Sequence, residues 1–192
     1  MLLEKDINYI VSGLERSGTS MLMQILRVGG LPVAFDDDRK PDENNPKGYY
    51  ELEGGKIINR LMEKSFPFER YKGQFIKITA YGIKFLLKGK YKIIYSERNI
   101  EEILDSMEKM AQITDENREE TKEIFIKLNK MIKRQIINRE DISCLFVNYN
   151  EILKNPRKKI EEIHRYLNLP NEKLEKMISV VDKRLYRQRK ES

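Results

Sequence analysis

The 192-residue chain contains a single cysteine, Cys144. One thiol cannot close an internal disulfide, which excludes a secreted, disulfide-stapled scaffold. Long hydrophobic runs are also missing. A membrane span needs about 18 predominantly apolar residues, and the most apolar stretch, residues 21–35, is interrupted by Gln24, Arg27, Gly29-Gly30 and Pro32. The N-terminal residues reach Glu4, Lys5 and Asp6 too soon for a signal peptide. Together these absences predict a soluble, cytoplasmic protein with no membrane span. Histidine is scarce too: the one imidazole, His164, stands four residues after Ile160 and reads as the edge of a packed helix face. No internal repeat or low-complexity segment is visible.

Charge is abundant. Lys and Arg number 37 against 31 Asp and Glu, a formal net charge of +6. Such an excess suits nucleic acid, an acidic membrane surface or a small polyanion. Along most of the predicted helices Lys alternates with Glu, the pattern of a solvated face. Nucleic-acid binding would call for basic clusters interleaved with exposed aromatics, so no nucleic-acid partner is expected. The one concentrated basic stretch is the tail: Lys183, Arg184, Arg187, Arg189 and Lys190. Hydrophobic residues make up 40% and charged residues 35%, a globular balance, and the length suits one domain over residues 1–192.

Residues 8–12 read as a short buried strand, followed by a glycine turn over 13–20 and a helix from about Gly18 to Val28 that Gly29-Gly30 ends. Residues 31–50, with Pro32, Pro41, Pro46 and Asp36-Asp37-Asp38, predict a long loop of the functional kind. A helix is expected from Glu51 to about Lys64, a weaker strand over 75–79, and a short helix over 81–87. A clear strand covers 91–96. Ile100, Ile103, Leu104, Met107 and Met110 then recur at helical spacing. A long charged helix spans about 117–138 and another strand 144–147, where Cys144 reads as an inert core thiol. A helix opens on Pro156 at its favoured first position, and a last one starts at Pro170-Asn171 and continues into the basic tail. Strands alternating with helices predict an α/β fold with a mainly parallel central sheet.

The turn reads Gly13-Leu14-Glu15-Arg16-Ser17-Gly18-Thr19-Ser20. Strand, glycine, four residues, glycine and two hydroxyl residues opening a helix make the frame of a phosphate-binding loop. Backbone N–H groups of the loop and helix start converge on one spot, where an anion is held. Nucleoside triphosphatases carry Lys-Ser/Thr after the second glycine; here Thr19 takes the lysine position and the cation is Arg16. A magnesium-dependent enzyme would also want an acidic residue at the end of a second strand, whereas the strand over 91–96 runs into Glu97-Arg98. Arg98 suits an anion there, although Glu97 leaves a metal role open.

Gly-x-x-Arg-Ser-Gly-Thr-Ser after a strand resembles the 5′-phosphosulfate loop of sulfotransferases that use 3′-phosphoadenosine-5′-phosphosulfate (PAPS). The family's second signature is an arginine ending a strand, with a serine eight residues on; Arg98 and Ser106 keep that spacing, with Ile100 where the family often has proline. The resemblance implies a three-layer P-loop fold in which Gly13, Arg16, Ser17, Gly18, Thr19 and Ser20 hold the 5′-phosphosulfate and Arg98 and Ser106 hold the 3′-phosphate. It implies PAPS as co-substrate, no metal, and Arg16 neutralising charge on the transferred group. Asn45-Pro46-Lys47-Gly48-Tyr49-Tyr50-Glu51 resembles a segment of bacterial sulfotransferase-like proteins. Sulfonyl transfer needs a base for the acceptor proton; the resemblance to protein-tyrosine sulfotransferases, whose base follows the loop arginine by about twenty residues, points to Asp36–Asp38, so the candidates are Asp37 and Glu51. Arg39 and Lys47 would hold acceptor or cofactor, and family members often lay a basic C-terminal segment over the 3′-phosphate. Two rivals stand beside this expectation: a kinase-like phosphotransferase using ATP and magnesium, and a nucleotide-binding module without an acceptor site.

Overall fold

A computed structural model describes residues 3–43 and 45–181. The chain runs β1 (Asn8–Gly13), α1 (Thr19–Val28), α2 (Ile57–Met62), α3 (Phe68–Tyr71), β2 (Phe75–Thr79), α4 (Ala80–Ile83), β3 (Tyr91–Glu97), α5 (Ile100–Ala111), α6 (Arg118–Ile137), β4 (Ile142–Asn148), α7 (Tyr149–Lys154), α8 (Pro156–Tyr166) and α9 (Leu174–Ser179). Short 3₁₀ turns precede α2 and α9. The four strands form one parallel sheet in the order β2-β1-β3-β4. Every residue of β1 is buried, as a strand covered on both faces must be.

The alternation of side chains along each strand builds two cores. Tyr9, Val11 and Ile94 face one way and pack with Leu22, Met23 and Leu26 of α1, Ile160 and Ile163 of α8 and Met177 of α9. Ile10, Ile76, Ile78, Ile93 and Tyr95 face the other way and meet Ile57 and Leu61 of α2, Ile83 of α4, Ile103 of α5 and Ile132 and Ile136 of α6. The result is three layers, helix on sheet on helix, as expected. At the end of α1, Gly30 takes a left-handed φ of 77° and Leu31 N–H bonds back to the Leu26 carbonyl at 3.1 Å. This is the glycine stop read from the sequence.

Four expectations change. The helix foreseen from Glu51 begins at Ile57, because Gly54 and Gly55 both adopt positive φ and confine residues 53–55 to a 3₁₀ turn. The helix expected over 81–87 is the single turn α4. Helix α7, six residues between β4 and α8, is new, capped by the Asn148 side chain accepting from Glu151 N–H at 3.0 Å. Finally, the chain from Pro170 enters α9 through a 3₁₀ turn. The basic tail over 183–190 lies outside the described residues. The long loop is irregular, as expected, but its start is tied down: Ala34 and Phe75 N–H groups bond to the Phe75 and Pro32 carbonyls at 2.9 Å each.

His164 is buried, with Nε2 2.9 Å from the Pro170 carbonyl, which makes it a tie between α8 and the turn that follows. Burial pushes the Cys144 thiol up to about 12, so it is unreactive at neutral pH. Among the described residues no helix is long and apolar enough to cross a membrane.

Candidate active site

In a parallel α/β sheet the ligand crevice opens at the carboxyl ends of the strands. A cleft of about 360 Å³ lies there, over the end of β1. Its floor is the turn from Gly13 to Ser20. Two glycines make that turn possible. A Cβ on Gly13 would stand 2.6 Å from the Ser96 carbonyl oxygen, and one on Gly18 would stand 2.2 Å from the Tyr149 ring. Gly18 holds φ at 99° as it caps α1 without a side-chain bond. Arg16, between them, also sits at a positive φ of 62°, a conformation that costs a non-glycine residue about 1 kcal/mol or more. The first N–H groups of α1 have no partner within the helix, and the helix dipole adds partial positive charge to them. With Thr19 and Ser20 lining the cleft beside them, the helix start offers donors to an anion.

The loop is held from below. Ser96 Oγ donates to the Ser17 carbonyl at 2.7 Å. The Arg98 guanidinium is buried, donating to the Arg16 carbonyl and to Glu102 Oε2, both at 3.0 Å, and lying 4.8 Å from the centre of the Tyr149 ring. Glu102 also accepts from Asn150 Nδ2 at 2.9 and 3.0 Å. A buried ion pair is tolerated where its other hydrogen-bonding sites are filled, and the Arg16 carbonyl and Asn150 amide fill several of them here. Arg16 extends along α5, where its Nε donates to Ser106 Oγ at 2.9 Å. The structure therefore joins the two sequence motifs directly: Arg98 bonds to the backbone of the first and Ser106 to its arginine. Ser17 is the exception among the loop residues. It is fully buried, its N–H bonds back to the Leu14 carbonyl, and its Oγ has no hydrogen-bond partner.

The two carboxylate candidates part company. Asp37 is exposed and does not line the cleft. Its neighbour Asp36 instead accepts from the Glu53 N–H at 2.6 Å, which pins the loop to the turn before α2. Glu51 lines the cleft. Its Oε1 accepts from Lys77 at 2.8 Å and its Oε2 from Arg39 at 3.0 Å. Lys77 also donates to Ser20 Oγ at 3.2 Å and to the Tyr49 carbonyl at 3.0 Å, so it ties the long loop to the phosphate loop. Burial pushes its ammonium below the ordinary lysine range, and Glu51 opposes that shift. Arg39 lies 3.5 Å from the centre of the Tyr49 ring, whose hydroxyl donates to Asp42 at 2.8 Å. Lys47 lines the same wall. Glu97 is turned away toward α6, paired with Lys133.

Lys77 is the site residue that the sequence motifs did not single out. Its signal was present: a lysine in the middle of the apolar strand Phe75-Ile76-Lys77-Ile78-Thr79 needs a buried counter-charge. Seven Lys and Arg side chains line the cleft against Glu15 and Glu51. The pocket is therefore built for an anion, and among the described residues no cluster of potential metal ligands is found.

The sulfotransferase domain family matches residues 6–191. The chain belongs to that family. Solved structures agree at the level of the fold. Mouse sulfotransferase SULT7A1, crystallised with PAP, superposes with a TM-score of 0.50 at 16% identity, over 93% of this chain and 64% of its own. The sulfotransferase domain of the Synechococcus olefin synthase gives 0.50 at 15% identity, over 94% of this chain and 82% of that domain. Retinol dehydratase, solved with retinol and PAP, gives 0.50 at 16% identity, over 94% and 65%. This sulfotransferase-family chain thus spans just under two thirds of the mouse enzyme's length. No curated protein sequence matches it. The expected three-layer fold with its phosphate-binding loop is the family's fold.

Proposed function

We propose that the chain is an enzyme that moves the sulfonyl group of PAPS to a hydroxyl or amine acceptor, with all 192 residues forming one catalytic unit in the cytoplasm. One observation carries the reading. At the end of β1, a helix start and Ser20 face a carboxylate, Glu51, through the shared ligand Lys77. An anion cradle and a proton acceptor therefore meet at one point.

In this reading the α1 N-terminus, Thr19 and Ser20 hold the 5′-phosphosulfate, with Arg16 beside it. The family resemblance assigns the 3′-phosphate to Arg98 and Ser106, which here bond to the Arg16 carbonyl and the Arg16 guanidinium. Glu51 accepts the acceptor proton; each of its oxygens has a second lone pair, so Lys77 and Arg39 need not leave. The acceptor oxygen forms a bond to sulfur while the bond from sulfur to the phosphate oxygen breaks. The products are a sulfate ester, or a sulfamate from an amine, and adenosine-3′,5′-bisphosphate (PAP). Arg16 and Lys77 stabilise the charge that gathers on the sulfonyl and leaving oxygens. Glu51 is preferred to Asp37 because Glu51 lines the cleft.

The test is a comparison of ligands. PAP at about 100 times its Kd should add about 2.7 kcal/mol to stability, seen as a rise in Tm, and ATP with magnesium should add much less. Stabilisation by ATP-magnesium alone would overturn the proposal in favour of a phosphotransferase. Glu51→Gln should lower kcat at least about 100-fold while PAP still binds; an unchanged kcat would remove Glu51 from its role.

A further inference from the structure

We infer that the outer face of α6 pairs with the same helix of a second copy of the chain, the two helices running antiparallel. The surface lies outside the cleft, so the inference stands whether or not the sulfonyl-transfer reading holds.

Helix α6 has twenty residues, about 30 Å at 1.5 Å per residue. It buries only Ile132 and Ile136. Its outer side keeps apolar groups in water: Ile126 is 46% exposed and Ile137 68%. A groove of about 460 Å³ runs along this flank. Its apolar lining is Ile100, Ile126 and Ile137, with Lys130, Lys133 and Arg134 beside them. Among the described residues no carboxylate lines it.

The charges of the helix are sorted by half. Residues 124–139 hold Lys127, Lys130, Lys133, Arg134 and Arg139 and no Asp or Glu. Residues 115–123 hold five carboxylates against two cations. Both of those cations turn toward α5, where Arg118 pairs with Glu101, Asp105 and Glu108, and Lys122 with Glu101. Glu119, Glu120 and Glu123 are left exposed. In the basic half Lys133 is taken by Glu97 and Arg139 by Asp141. Lys130 and Arg134 are exposed, and neither has a salt bridge among the described residues. Glu119 touches Lys122 at 3.4 Å and Glu123 touches Lys127 at 2.9 Å. Exposed pairs of this kind are weak, so both carboxylates stay available to a better-placed cation.

Residues 119, 123, 126, 130, 134 and 137 follow one another in steps of three or four, so they share one face. Along the chain that face runs acid, acid, apolar, base, base, apolar. A parallel copy would set acid on acid and base on base. An antiparallel copy sets Glu119 against the partner's Arg134 and Glu123 against the partner's Lys130, each contact occurring twice. Ile126 then lies close to the two-fold axis, covering the mouth of the other copy's groove. Such self-complementarity is what a two-fold interface requires. The net charge of +6 opposes self-association over most of the surface, whereas this face offers acid as well as base. One helix pair buries less than the roughly 1,200 Å² of a standard interface, so the dimer is weak and sensitive to salt.

The experiment is sedimentation velocity on the full chain over a concentration series at low salt. The mean mass should rise toward that of two chains, and about 0.5 M salt should weaken the association about 10-fold. Glu123→Lys and Lys130→Glu change exposed positions. Each alone should weaken dimerisation about 10-fold or more, because like charges then meet at both contacts. An equimolar mixture of the two single variants should associate again, to within about 3-fold of the parent, since each copy then faces opposite charge. A chain that stays monomeric throughout the series would overturn the inference and leave the face to a different partner. A dimer that neither substitution weakens would overturn it too, as would a mixture no tighter than the single variants alone.

Discussion

The two ends of the same sheet are built to opposite standards. At the amino-terminal ends of the strands charges are matched. Arg139 donates to the Leu86 and Leu87 carbonyls at 2.7 Å each and to both oxygens of Asp141, which also accepts from the Gly89 N–H at 2.9 Å. Lys90 pairs with Asp6 at 2.6 Å beside them. At the carboxyl-terminal ends Arg16 sits at positive φ, Ser17 buries a hydroxyl with no partner, and Lys77 is a buried cation with its pKa depressed. Backbone strain at Arg16 and a buried cation stand where a ligand would answer them, while unmet polarity occurs at both ends, since Asn8 Oδ1 at the start of β1 also lacks a partner. The matched end contributes stability and the strained end contributes chemistry.

Substitutions test this contrast. The largest effect is expected at the strained end, from Gly18→Ala. The new methyl would stand 2.2 Å from the Tyr149 ring at a φ that L-residues rarely adopt. Stability should fall by about 3 kcal/mol and PAP binding should be lost, as read by urea midpoint and thermal shift. Retained binding would show that the loop tolerates a different path.

At the matched end, Arg139→Ala should cost about 2 kcal/mol, because two carbonyls and a carboxylate lose their donor, yet leave PAP affinity unchanged. A change in affinity would break the separation between the two ends. The pH dependence follows from the same pair. Arg139 holds the Asp141 carboxyl down at about 2, below its ordinary value near 4. That stability is present above about pH 4 and is lost as pH falls toward 2. The substitution should flatten that acid limb, measured by urea midpoints across the range.

The smallest effect is expected from Ser17→Ala, which removes the unpartnered buried hydroxyl. The variant should be as stable as the parent or more stable by about 0.5 kcal/mol. A loss above about 1 kcal/mol would mean that the hydroxyl supports the fold.

How much of this was legible beforehand depends on what each part is made of. The loop from Gly13 to Ser20 is a backbone device, and glycine spacing after an apolar strand announces it. Arg98 and Ser106 were legible as a strand end and a helix position, because spacing within contiguous elements survives folding. That Ser106 would bond to Arg16 was not legible, since the contact depends on how α5 lies against the loop. The choice between Asp37 and Glu51 was hidden for a similar reason. Both sit on an irregular loop, and the ties of Glu51 to Lys77 and Arg39 come from other parts of the chain. Lys77 was visible as an anomaly in an apolar strand, but its partner comes from a different element. The helical spacing of Ile57, Ile58, Leu61 and Met62 holds, and Gly54-Gly55 was the local signal that moves the helix start past both glycines to Ile57.

The parallel pairing of β1 also has a bearing on how the molecule comes together. Its partners are not its neighbours in the chain: Tyr9 pairs with Phe75, and Asn8 with Tyr91. Contacts of such long sequence separation form slowly. The phosphate loop waits longer still, because Ser96 must arrive to hold Ser17 and Tyr149 to abut Gly18. The finished shape of the glycine-rich turn therefore depends on residues about 80 and about 130 positions away in the chain. A nucleotide that grips it would recognise the finished molecule and no earlier stage.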